Sequence, residues 1–257
     1  MFFIIYKFGS DKLRTILKHG HMAKVYIEDE FVYKTYDDFY PEEWVDKEIY
    51  IHDILLRKTN LNVTEVEKVN AHEIKMPFLS QQNLGFYLMR NVDESLIDDF
   101  VKLQHEMHQY KALELENAHI VFKRWIEMSQ LSRDIKHIAH NVLDTIEYEN
   151  YLCHFDYQPS HVVIQNNEYY IMDWIHAKLA NPILDIANTY VNLRLDQYDL
   201  AHKYLQRVTS LLDYKKDEVF FAVPLMAAIK MIETDDIFEH KVLTTLVFDP
   251  KNKEITK

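Results

Sequence analysis

The sequence predicts an α+β protein of two lobes: a small antiparallel sheet with one helix over residues 1–90, then a mainly helical lobe over residues 91–257. Short runs of alternating residue type, separated by polar turns, crowd into the first lobe. From residue 96 onward, apolar residues recur at helical spacing instead. One stretch interrupts that helical pattern, LCHFDYQPSHVVIQNNEYYIMDW over residues 152–174. Val162, Val163 and Ile164 make one apolar strand and residues 169–172 the other. Asn166-Asn167 between them tolerates the positive φ of a tight two-residue turn.

In the first lobe, residues 15–17, 23–27 and 30–36 read as strands. The turn Lys18-His19-Gly20-His21 can cover a phosphate group with backbone N–H groups; with a single glycine it reads, on its own, as a plain hairpin turn. Residues 41–58 form a helix, with Pro41 suited to its first turn and Glu42 and Glu43 to the positive end of its dipole. Trp44, Ile51 and Leu55 share one stripe, and Glu48 lies on it. An acid on a core-facing stripe needs a cation, and Lys34 on the strand 31–36 is available. Glu43 is the competing partner, and the plainer alternative leaves Lys34 and Glu48 at the solvent border. Residues 74–79 and 86–89 predict a further hairpin around Asn83-Leu84-Gly85, after which the chain leaves the sheet near Arg90.

In the second lobe Asp93 caps a helix whose stripe is Leu96, Phe100, Leu103, Met107 and Tyr110. His105 and His108 lie three apart and, without a third ligand, read as surface or capping residues. Phe122, Trp125, Ile126 and Met128 indicate an amphipathic helix within residues 112–134. Residues 135–148, 190–212, 218–233 and 236–246 read as helices, with Pro224 implying a late start or a kink. Glu233, Asp235, Asp236 and Glu239 form an acidic run, read as a solvated face, with attraction of a cationic acceptor as the alternative.

Charge and composition exclude some classes. A formal net charge of −12 disfavours non-specific nucleic-acid binding and favours a neutral or cationic substrate. The single cysteine, Cys153, rules out an intramolecular disulfide and fits a reducing cytoplasm; its apolar neighbours make it a buried thiol. The apolar run over residues 1–6 is too short to span a membrane, so a cytoplasmic protein without membrane partners is expected.

The chemistry centres on two acids. A hairpin brings its ends together, so Asp156 and Asp173 are expected at one edge. Paired carboxylates suit Mg²⁺, a cation that takes oxygen ligands, with one acid left to accept a proton, although the carboxylates by themselves read as two solvated acids flanking an ordinary hairpin. His154-Phe155-Asp156, with His161 five positions on, follows the kinase catalytic-loop pattern H-x-D-x-x-x-x-N except at its last place. Residues 171–187, IMDWIHAKLANPILDIA, closely resemble the Asp-Trp, Asp-Pro-x-x-Asp-Leu-Ala region of the aminoglycoside phosphotransferase and choline kinase family, part of the protein-kinase-like superfamily. Asp173-Trp174, Pro182, Asp185 and Ala187 match, while Asn181 replaces the usual acid and Ile186 the usual leucine. Residues 103–108, LQHEMH, resemble that family's helix ending in Leu-His.

The resemblance implies a two-lobed protein-kinase-like fold, with a nucleotide-binding lobe over residues 1–90 and a catalytic and acceptor-binding lobe over 91–257. It implies an ATP-dependent phosphotransferase that moves the γ-phosphate to an acceptor hydroxyl on an aminoglycoside, a choline-like molecule or a sugar. ATP and Mg²⁺ are the cofactors, with Mn²⁺ as the alternative ion. Asp156 takes the place of the catalytic base. Lys34 takes that of the phosphate-ordering lysine, with Glu48 as its ion-pair partner. Gly20 falls in the phosphate turn, and Met89 in the hinge whose backbone meets the adenine. Asp173 and His161 take the metal-binding places, and residues 112–134 help to shape the acceptor site. His161 stands where the family has asparagine, and neutral imidazole prefers softer ions than Mg²⁺. A kinase-like binding or regulatory module with weakened transfer is therefore the alternative.

Overall fold

The computed structural model describes residues 5–7, 13–19, 23–80, 82–88, 90 and 95–252. The described residues fall into two units: Met1–Asn83 with Val162–Ile175, and Leu84–His161 with His176–Lys257.

In the first unit the alternating segments pair as β1 (Ile5–Lys7), β2 (Leu13–His19), β3 (Ala23–Glu28), β4 (Phe31–Tyr36), β5 (Glu67–Asn70) and β6 (Glu73–Pro77). Among the described residues they form one antiparallel sheet in the order β1-β2-β3-β4-β6-β5. The two-residue period of β4 sends Val32, Lys34 and Tyr36 to one face and Tyr33 and Thr35 to the other. On the first face Tyr36, Ala23, Ile74 and Met76 form a core with Val45 of helix α1 (Glu42–Lys58), bordered by Val32 and Trp44. On the opposite face Tyr26 stacks on Tyr33 with ring centroids 5.2 Å apart, and the hydroxyls of Tyr26 and Thr35 donate to Glu73. Lys34 therefore rises from the buried face of the sheet, not the outer one.

The hairpin of the long central stretch belongs to this unit. Following β7 (Tyr151–Cys153) of the second unit, β8 (Val162–Gln165) and β9 (Glu168–Ile171) pair with Val162 opposite Ile171. Asn166 and Asn167 take φ of 52° and 65°, as the turn requires. Backbone bonds from Ile164 N to Gln82 O (2.9 Å) and from Ile171 N to Asn62 O (3.3 Å) tie the hairpin down.

Residues 86–88 do not form the expected strand: Leu84–Leu88 is a short helix, α2, and Met89 lies outside the described residues. Its sequence, LGFYL, lacks the strand period, and Leu84 and Leu88 are buried one helical turn apart. The neighbours of β6 are β4 and β5.

The second unit is built from α3 (Ser95–Met107), α4 (Ala118–Met128), α5 (Arg133–Thr145), α6 (Pro182–Asp196), α7 (Tyr198–Leu211), α8 (Lys216–Glu233) and α9 (Ile237–Phe248). The strand β7 pairs antiparallel with β10 (Lys178–Ala180). Cys153 on β7 is fully buried, and burial pushes its thiol well above the ordinary range. The expected helix over residues 190–212 is two helices, because Gln197 leaves helical geometry with φ −142° and ψ 69°. α8 runs through Pro224 without a late start. Its residues 222–229 are all buried, and packing of an almost wholly apolar segment outweighs one lost backbone bond. α6 is buried along Pro182–Arg194 although it carries five polar or charged residues there besides tyrosine. None of the helices among the described residues is long and apolar enough to cross a membrane.

The start of α6 explains Asn181. Its side chain accepts from Ile183 N at 3.1 Å, with Pro182 at the first helical position. Asparagine thus caps the helix as an aspartate would. Replacing it with alanine is expected to cost about 1 kcal/mol and lower the melting temperature by roughly 2–4 °C, whereas Asn181→Asp should be near neutral. Equal thermal melts for the parent and Asn181→Ala would show that the cap contributes nothing.

Candidate active site

Two constellations hold the candidate residues, one within each unit. In the first, Lys34 on β4 donates from Nζ to both oxygens of Glu48 at 3.0 and 3.1 Å, and to Asp173 Oδ1 at 2.8 Å. Glu48 is buried on α1, where its four-residue spacing to Trp44 and His52 places it over the sheet. Glu43 is exposed. The Tyr36 hydroxyl, two residues along the same face as Lys34, also donates to Glu48. Burial opposes the lysine charge, but the carboxylates of Asp173 and Glu48 outweigh it and hold the ammonium well above the ordinary lysine range. Burial pushes Tyr36 above the ordinary tyrosine range, so it stays a neutral donor. Asp173, two residues past β9, takes φ 65°, a left-handed conformation that aspartate tolerates better than most residues. The following indole, Trp174, is buried and donates from Nε1 to Ile171 O at 2.8 Å.

In the second unit, residues 154–161 form a loop governed by one face of α6. Asp185, fully buried, accepts from Phe155 N at 2.7 Å through Oδ1. Its Oδ2 accepts from Gln104 Nε2 at 2.9 Å and His108 Nε2 at 2.8 Å. Asn188, one turn on, donates to Phe155 O at 2.8 Å, and Asn192, a further turn on, donates to Asp156 Oδ1 at 3.3 Å. Burial pushes the Asp185 carboxyl up, but the His108 hydrogen bond and the donors from Gln104 and Phe155 outweigh it, so the carboxyl lies below its ordinary range. Because an ionised carboxylate accepts only, His108 Nε2 carries the proton it donates to Asp185; its buried Nδ1 has no hydrogen-bond partner among the described residues.

Asp156 itself is partly open, its side chain 19% exposed. Gln158 Nε2 donates to Oδ1 at 3.0 Å beside the Asn192 amide. His161 Nδ1 lies 2.9 Å from the Asp156 carbonyl oxygen and 3.4 Å from Oδ2. A carbonyl can only accept, so Nδ1 carries a proton. The Asp156 N–H donates to His154 Nδ1 at 3.2 Å.

Lys34, Glu48 and Asp173 thus meet in one constellation, and Asp156 and His161 in the other. Gly20, Met89 and the helix cap Asp93 lie outside the described residues. His108 is not a surface residue but a buried partner of Asp185. The buried face of α3 carries Ile97, Phe100, Val101, Gln104 and Met107, rotated from the expected stripe, and that rotation brings Gln104 inward. Asn188 and Asn192 escaped notice as well. Their three- and seven-residue spacing from Asp185 was the available signal, since those positions share a helical face.

No protein-family model matches the chain, and no curated protein matches it. Solved structures do. Aminoglycoside phosphotransferase APH(2")-IIa in a streptomycin–ATP ternary complex is 14% identical with a TM-score of 0.59, covering 91% of this chain and 90% of that one. The GDP complex of an aminoglycoside 2'-phosphotransferase-IIIa mutant is 15% identical with a TM-score of 0.62, covering 91% and 90%. A Plasmodium vivax ethanolamine kinase is 12% identical with a TM-score of 0.62, covering 91% and 81%. The fold is that of the protein-kinase-like phosphotransferases. Within that class, it is the fold shared by aminoglycoside phosphotransferases and choline/ethanolamine kinases.

Two outcomes follow from the geometry. Because the folded Asp185 carboxyl is depressed, its contribution to stability is full above about pH 4, the unfolded value, and is lost as pH falls through the lower folded value. Thermal melts between pH 7 and 3 should therefore show Asp185→Asn destabilised at pH 7 and less sensitive to acid than the parent. An unchanged acid sensitivity would remove Asp185 from this role. For the other constellation, Lys34→Ala and Glu48→Ala should lower the melting temperature non-additively, since each breaks the same buried ion pair. Fully additive losses would mean that the two residues act separately.

Proposed function

We propose that the chain is an ATP-dependent phosphotransferase that moves the γ-phosphate to a hydroxyl of a small-molecule acceptor. The observation that carries this reading is Lys34, an ammonium kept on the buried face of a sheet by Glu48 and Asp173. A buried ion pair adds little stability over apolar packing, so its retention points to use of the charge. Lys34 would order the α- and β-phosphates, with Glu48 and the Tyr36 hydroxyl fixing its direction. The Gly20 turn and the Met89 backbone would meet the phosphates and the adenine. Residues 1–90 would then serve nucleotide binding, and residues 91–257 the catalytic loop and the acceptor.

Asp156 would orient the acceptor hydroxyl and accept its proton, a role suited to a carboxylate that is held by amides yet partly open. Asp173 and His161 would hold a divalent cation, which when bound offsets the charge of the phosphates. The carboxylate of Asp173 fits Mg²⁺, while the lone pair of His161 Nε2 suits Mn²⁺ better. The ATP complex of one structural neighbour and the GDP complex of another support a nucleoside triphosphate as donor. Neighbours that are aminoglycoside phosphotransferases and ethanolamine kinases support an alcohol acceptor; an aminoglycoside, a choline-like molecule and a sugar are the candidates, and the net charge of −12 favours a neutral or cationic one. A cytoplasmic location fits the single reduced cysteine. The reading as a binding module with weakened transfer rests on His161 in place of asparagine.

Asp156→Asn keeps the shape and removes the proton acceptor, so turnover should fall by about a hundredfold or more while ATP affinity persists. Near-normal turnover would take the base role from Asp156. Mn²⁺ should support turnover well in the parent, and His161→Asn should shift the preference towards Mg²⁺. Identical metal profiles would mean that His161 is not a ligand. Failure of the parent to bind any nucleotide with any divalent cation would replace the kinase reading with the binding module.

A further inference from the structure

Asn192 on α6 is 8% exposed, and its amide is committed in one direction. Nδ2 donates to Asp156 Oδ1 at 3.3 Å, while Oδ1 is buried with no hydrogen-bond partner among the described residues. A buried amide oxygen without a donor costs about 1–3 kcal/mol, so an asparagine serving packing alone would turn to satisfy it. It cannot turn here: a flip would set the amide oxygen against the Asp156 carboxylate. The orientation of Asn192 is thus dictated by Asp156, at a cost to Asn192.

We propose that Asn192 is a positioning residue for Asp156, holding Oδ1 so that Oδ2 is presented to the proton of the acceptor hydroxyl. The inference rests on the reading of Asp156 as the base. Two amides, Gln158 and Asn192, converge on Oδ1. Among the described residues the other oxygen has only the longer approach of His161 Nδ1 within ion-pair distance, its proton engaged by the backbone carbonyl of Asp156, while the Lys230 ammonium acts on the carboxylate from farther off. The carboxylate is therefore gripped on one side. Gln158 belongs to the same loop as Asp156 and moves with it. Asn192 stands on a buried helix that also fixes the Phe155 peptide through Asp185 and Asn188, so it refers the carboxylate to a rigid frame.

The test compares Asn192→Ala and Asn192→Ser, alone and with Asp156→Asn, in steady-state transfer assays and in crystals. Removing a hydrogen bond to a charged group should lower kcat about tenfold in Asn192→Ala and leave the KM for nucleotide unchanged. Asn192→Ser, which keeps a donor, should recover part of the rate. With Asp156→Asn already present, Asn192→Ala should cause no further loss. The crystal structure of Asn192→Ala should show the Asp156 carboxylate rotated or in two conformers. Unchanged kcat, equal proportional losses in both backgrounds, or a carboxylate that keeps its place would each overturn the proposal. If one variant does not fold, the other serves for both arms. A parent that transfers phosphate to no acceptor would refute the kinase reading; the crystallographic arm would still decide the positioning.

Discussion

The loop over residues 154–161 depends on a buried carboxylate that takes no part in the chemistry proposed for it. Asp185 has no exposure, and an ionised carboxylate taken from water is costly unless its lone pairs are filled. Here they are filled by a backbone N–H, a glutamine amide and an imidazole, and the group sits in the first turn of α6, where the helix dipole favours negative charge. The chain of causes begins with Asn181 and Pro182, which start the helix at a defined residue. Helical periodicity then places Asp185, Asn188 and Asn192 on one face. That face meets successive groups of the loop: the Phe155 N–H, the Phe155 carbonyl and the Asp156 carboxylate. One rigid element thereby sets three consecutive points of an otherwise irregular segment.

The first unit solves a different problem by a similar route. A lysine must be kept charged on the apolar face of a sheet, and the strand period alone would expose it or bury it unpaired. Two independent periodicities meet to prevent that. The alternation of β4 directs Lys34 and Tyr36 inward together, and the four-residue spacing of α1 brings Glu48 over them. Glu48 then accepts from the ammonium and the phenol at once, while the ammonium also reaches Asp173. Each buried polar atom in this set is matched by another, which is the condition under which a polar cluster can persist in a core.

What the sequence disclosed follows from the range over which each signal acts. Local signals were legible: the strands of residues 23–36, the helix from residue 42, and the Asn166-Asn167 turn all depend on near neighbours. So was the Lys34–Glu48 pair, because an acid on a core stripe creates a demand that few residues can meet. Signals that depend on packing were not. Gln104 and His108 look polar and therefore outward-facing until a buried Asp185, some 80 positions away, supplies the reason for them to turn inward. Leu84–Leu88 shows the limit for short segments, since five residues between turn signals suit a helical turn as well as a strand. Pro224 shows that a strong local preference yields when a helix is buried along nearly its whole length.

Strain and substitution converge at the same loop. Phe155 takes φ 57°, a conformation that costs a bulky residue about 1–2 kcal/mol. It is held there at both ends of its peptide unit, by Asp185 and Asn188, while its ring meets Phe122 edge-on at 5.1 Å. His161 lies at the other end of that loop, and its departure from asparagine is smaller than the residue names suggest. An asparagine amide offers an NH2 donor group and an acceptor oxygen. The imidazole keeps the donor, Nδ1–H on the Asp156 carbonyl, and so keeps the closure of the loop. What changes is the acceptor atom, from an amide oxygen to the Nε2 nitrogen. The exchange therefore keeps the closure of the loop, and the metal-binding role proposed for His161 turns on that one atom.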